Sequence, residues 1–95
     1  MKTAAERIEM TRKNLMSVPG YNFNEAKLKD ICETNDYIPE GAHVMSNGDE
    51  KVYFEGDTFV TKNGSQIIKS FAKSTLSEMQ QEQLFCIWAG KQVTI

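Results

Sequence analysis

The chain has 95 residues, 40% of them hydrophobic and 25% charged, with 11 Lys and Arg against 13 Asp and Glu for a formal net charge of -2. That fits one small domain over 1–95, too short for a catalytic domain beside a recognition domain and too apolar for a disordered segment. No apolar run approaches the roughly 20 residues that a bilayer crossing needs.

At the N-terminus, Lys2, Glu6, Arg7, Glu9, Arg12 and Lys13 interrupt any signal-peptide core, so a cytoplasmic protein without a membrane partner is expected. Residues 3–17 place Ala4, Ile8, Thr11 and Leu15 at helical spacing on one face. Glu9 and Lys13 are positioned for an i,i+4 pair on the outer side. The basic side chains Lys2, Arg7, Arg12 and Lys13 share no single face at 100° per residue and read as a solvated surface rather than a phosphate site. Val18, Pro19, Gly20 and Tyr21 form a type II turn signal.

A second helix begins at Asn24, a good N-cap, with Phe23 and Leu28 at the spacing of a hydrophobic staple and Leu28, Ile31 and Cys32 facing inward. Residues 33–41, rich in Asn, Asp, Pro and Gly, read as a loop closing a helical part over 1–36. The first 22 residues carry Lys2, Arg7, Arg12 and Lys13 against Glu6 and Glu9, while residues 23–40 are acidic. This mild polarity has neither the basic stripe of a nucleic-acid binder nor the dense acidic surface of a nucleic-acid mimic, and no nucleic-acid partner is expected.

Residues 42–71 change to β-branched and aromatic side chains broken by Asn47-Gly48, Gly56-Asp57 and Asn63-Gly64, which implies four antiparallel strands joined by three hairpins. With two-residue loops at Gly56-Asp57 and Asn63-Gly64, Phe54 pairs with Phe59 and Phe59 with Ile68, while Tyr53 pairs with Val60 and Val60 with Ile67. Val52, Phe54, Phe59, Thr61, Gln66 and Ile68 then share the expected core face. Tyr53, Val60 and Ile67 form an apolar row on the other, among Lys51, Glu55, Lys62 and Lys69. That row is either covered by the N-terminal helices or by another subunit, or left as a protein-binding patch.

Ser77 and Gln80 make a capping box for a last helix over 77–89, with Gly90 as its left-handed stop. Its second half, Leu84, Phe85, Cys86, Ile87, Trp88 and Ala89, is apolar all round, so it is core on several sides or a self-association or partner surface centred on Phe85 and Trp88. The tail 91–95 alternates, with Val93 and Ile95 on one side, as an added edge strand would. The whole reads as α+β: two N-terminal helices, a four-stranded antiparallel meander and a C-terminal helix packed on the sheet.

Chemistry-bearing groups are sparse. Cys32 and Cys86 form no CxxC pair and no ligand set with His43, so no metal or cofactor is expected and both read as reduced apolar side chains, with one disulfide open in an oxidising compartment. His43 has no nucleophile motif beside it, Asp49 and Glu50 follow a turn glycine, and the glycines are scattered singly, so an enzyme is not expected. The expectation is therefore a non-catalytic protein-binding module or inhibitor that covers a partner's surface through Tyr53, Val60, Ile67, Phe85 and Trp88. Short stand-alone chains of this character are common among phage and mobile-element accessory proteins, including those that block host defence enzymes. The alternative is a small-ligand-binding or sequestering homo-oligomer, with Tyr21, Tyr37 or Trp88 stacking on a ligand and Arg12 or nearby lysines holding an anion.

Overall fold

Thr3 starts the first helix: its side chain accepts the Glu6 amide at 3.2 Å, satisfying one of the donors that a helix N-terminus leaves open, and α1 runs Ala4–Met16. The computed structural model describes residues 3–95; Lys2 lies outside them. Thr11 is buried, and Ala4, Ile8 and Leu15 pack against the core as their spacing predicts. Two expectations for this helix fail. Arg7 is 4% exposed and ion-paired, not solvated. Glu9 pairs with Arg12 at 3.0 Å in place of Lys13, because the Arg12 guanidinium fork also takes both oxygens of Glu25 and so ties α1 to the next helix.

The Tyr21 amide donates to the Val18 carbonyl at 3.2 Å across a turn with Gly20 at φ 74°, the positive value that position requires. Asn24 then caps α2 (Glu25–Thr34), accepting the Lys27 amide at 3.1 Å, and Leu28, Ile31 and Cys32 are buried. The sheet follows as β1 (His43–Asn47), β2 (Glu50–Glu55), β3 (Thr58–Asn63) and β4 (Gln66–Ala72), paired in chain order and antiparallel throughout. A 3-10 turn at Lys73–Thr75 leads into α3 (Glu78–Val93), whose Ser77 and Gln80 make both hydrogen bonds of the capping box. The α+β class and this element order agree with the sequence reading.

The helix α3 runs past its predicted stop. Gly90 is helical and lies where α1 crosses: a Cβ built on it would meet Leu15 Cδ2 at 3.4 Å and Thr11 Cγ2 at 3.8 Å. Gly90 is therefore not a left-handed cap but a helical residue at a crossing, with room for a methyl group and little more. The predicted edge strand at 91–95 is also corrected. Val93 is buried inside the helix and Ile95 is exposed, while Thr94 makes an isolated antiparallel bridge to Phe23, with the Asn24 amide donating to the Val93 carbonyl at 2.9 Å.

The core gathers Leu28, Ile31 and Cys32 of α2, Ile38 of the loop, Val44, Phe54 and Phe59 of the sheet, and Phe85, Trp88, Ala89 and Val93 of α3. Phe85 and Trp88, read as possible partner-binding residues, are 2% and 6% exposed and meet edge to face at 5.6 Å. An apolar-all-round helix end is buried here by α1, α2 and β1, which all pack on α3, so these two residues are core rather than contact surface. In the same layer Glu82 accepts from Arg7 Nε and Nη2 at 2.8 and 2.9 Å, and the Arg7 guanidinium lies 4.4 Å from the Phe85 ring.

Candidate functional site

The pairing sorts the sheet into faces, since residues directly opposite one another in antiparallel strands point the same way. Phe54, Phe59 and Phe71 make one row, with ring centroids 5.1 and 5.7 Å apart, and belong to the helix-covered core. The next row on that face, Met45, Val52, Thr61 and Lys69, lies toward the hairpin tips, and Met45 is 43% exposed.

The opposite face carries a row of His43, Tyr53, Val60 and Ser70, and beside it a row of Ser46, Lys51, Lys62 and Ile67. Tyr53 pairs with Val60 as predicted, but Val60 does not pair with Ile67, nor Phe59 with Ile68. Asn63 pairs with Gln66 around a Gly64-Ser65 loop, and a bulge between Thr61 and Lys62 puts Phe71 opposite Phe59 and Ser70 opposite Val60. Ile68 is the extra residue of β4. Its bulge carries Phe71 into the core and turns Lys69, expected beside Tyr53, to the Thr61 side.

The expected apolar row is therefore broken. Val60 is buried yet lies outside the core cluster; Tyr53 is half-buried; Ile67 is 60% exposed and pairs with Lys62. The His43 and Tyr53 rings lie 5.4 Å apart, and His43 Nε2 donates to the Met45 carbonyl at 2.7 Å, which makes His43 a structural residue of the β1 bulge. Lys62 reaches over Tyr53, 5.6 Å from the ring centroid, and pairs with Glu55 at 2.7 Å.

Sequence reasoning passed over one feature of this face. Lys51 stands directly opposite Lys62, a like-charged pair that weakens a ladder unless something negative lies across it. Lys62 has Glu55; Lys51 is exposed and has no ion-pair partner among the described residues. The pair was legible, because the Tyr53–Val60 register places these lysines opposite each other. Together with Tyr53, Asp49, Asn63 and the turn glycines Gly48 and Gly64 they line a shallow depression of about 350 Å³.

The residues considered for ligand stacking are not brought together. The Tyr21 hydroxyl hydrogen-bonds the Thr94 hydroxyl, Trp88 is core, Arg12 is held by Glu9 and Glu25, and Tyr37 lies under Lys73. Cys32 and Cys86 are both buried. Among the described residues, no group of three His, Cys, Asp or Glu side chains could hold a metal ion, and no helix is long and apolar enough to cross a membrane. Comparison with protein-family models, curated proteins and solved structures finds no match to this chain.

Proposed function

We propose that the chain is a non-catalytic protein-binding module that covers a partner's surface with the helix-free face of its sheet, centred on Tyr53, Lys51, Lys62 and Ile67. One observation carries this reading: that face presents an exposed isoleucine and a half-buried tyrosine beside two directly opposed lysines, one of them without an ion-pair partner among the described residues. A partner with a carboxylate above Lys51 and Lys62 relieves their repulsion, and an apolar side chain beside it covers Ile67. Both edge strands carry bulges, at Val44 in β1 and Ile68 in β4, a device that discourages an added strand, which favours contact by the face over contact by the edge. On this reading the chain acts as a small accessory inhibitor would, by occupying its partner's surface.

The test uses Lys51→Glu and Ile67→Asp beside a control, Ile87→Asp, on the exposed side of α3. Each protein is used to capture partners from the native host extract, with thermal unfolding as the check on folding. The two sheet variants are expected to lose a partner that the wild type and the α3 variant both retain. Retention of every captured protein by both folded sheet variants would overturn the assignment.

A further inference from the structure

A second concavity lies on the helix-covered side, where α1, the loop before β1, the 3-10 turn and the first turns of α3 meet the sheet and enclose about 240 Å³. Its floor is apolar: Ile38, Phe54, Phe59 and Phe85 are all buried. Arg7 and Glu82 stand in its wall but neutralise each other. Every nitrogen of the Arg7 guanidinium already donates within the protein, Nε and Nη2 to Glu82, Nη1 to the Asn35 carbonyl at 3.1 Å and Nη2 also to the Asp36 carbonyl at 3.3 Å.

Lys73 at the mouth is in a different condition. Its Nζ sits 3.4 Å from the Tyr37 ring centroid and 6.0 Å from that of Phe54, and no carboxylate lies within ion-pairing distance among the described residues. Burial pushes the Lys73 pKa down, outweighing the attraction of the more distant Asp57. The ammonium has given up part of its water for an aromatic face and, among the described residues, has no carboxylate paired with it.

We propose that this cleft binds a small aromatic monocarboxylate, with its ring on the Ile38, Phe54 and Phe85 floor and its carboxylate on the Lys73 ammonium. The volume falls below the roughly 300–1,000 Å³ of sites for drug-sized ligands and suits a single ring. Among the described residues Arg7 and Glu82 cancel and Lys73 is the cation left for the ligand, while the Asp36 carboxylate on the lining disfavours a second negative charge. The site shares no residue with the open sheet face, so it stands or falls separately from the protein-binding reading.

The probes are benzoate, phenyl phosphate and benzylamine, titrated at one ionic strength into the full-length isotope-labelled protein and followed by amide chemical shifts. Benzoate is expected to give saturable shifts at Tyr37, Ile38, Lys73 and Gln81, and to bind about tenfold more tightly than phenyl phosphate or benzylamine. Lys73→Met is expected to weaken benzoate about tenfold or more, the scale of one charge-assisted hydrogen bond, while Lys73→Arg and Ile67→Asp retain binding. Absence of saturable shifts with benzoate, undiminished binding by folded Lys73→Met, or tighter binding of benzylamine would each overturn the proposal.

Discussion

Replacing either member of the Arg7–Glu82 pair takes a two-bond ionic partner away from a buried charge. The two residues are 4% and 5% exposed and joined by hydrogen bonds of 2.8 and 2.9 Å, so Glu82→Leu or Arg7→Met is expected to cost about 3–5 kcal/mol. A 95-residue domain has about 5–14 kcal/mol in total at roughly 0.05–0.15 kcal/mol per residue, so either change removes a large share of it. The double variant behaves differently, because no buried charge is left. Its expected cost is about 1–3 kcal/mol, chiefly for the Asn35 and Asp36 carbonyls that lose the Arg7 donors. Urea unfolding followed by the fluorescence of buried Trp88 and by circular dichroism measures all three. Single costs below about 1 kcal/mol, or a double-variant cost equal to their sum, would refute the reasoning.

Thr11 Oγ1 is buried with no hydrogen-bond partner among the described residues, so Thr11→Val removes an unsatisfied hydroxyl without changing side-chain shape; a gain of about 1 kcal/mol in urea unfolding is expected, and a loss would show that the hydroxyl is satisfied. Gly90→Ala is expected to stabilise by about 0.5–1 kcal/mol, because alanine is the better helix former and its Cβ would meet Leu15 at an ordinary 3.4 Å, whereas Gly90→Leu should lower the melting temperature sharply by forcing α1 and α3 apart. The Cys32 thiol is pushed up to about 11, first by burial and then by Cys86 and Glu33, against the lowering effect of Arg7. The folded state therefore keeps a proton that the unfolded chain releases near 9.0, so this contribution to stability is complete below that pH and declines by up to about 1.4 kcal/mol per unit as pH rises toward 11. Thiolate absorbance in the folded protein that rises near pH 9 and is lost in Cys32→Val would contradict the burial.

Local signals were enough for the elements. The caps at Asn24 and Ser77 and the turns at Gly20 and Gly56 each act within a few residues, so reading them needs no partner element, and the β2–β3 hairpin register follows from one two-residue loop. The β3–β4 register was not legible, because the inserted Ile68 is selected by the fit of Phe71 beside Phe59 under the helices, a contact across the core. The same limit applies to Arg7 and Glu82, which are 75 residues apart and look like surface charges until α1 and α3 are laid together. It applies to Gly90, which reads as a helix stop until Leu15 of another helix is laid beside it.

For the candidate surfaces the division is similar. The order of secondary structure, the two faces of β2 and β3 and the opposition of Lys51 to Lys62 follow from alternation and hairpin chemistry alone. Periodicity reports that a residue has an apolar side; which apolar side is covered is a property of three-dimensional packing. Only the tertiary structure decided that Phe85 and Trp88 are enclosed by α1, α2 and β1 while Tyr53 and Ile67 stay on the uncovered face, and that Tyr37 and Lys73 meet at the mouth of a cleft.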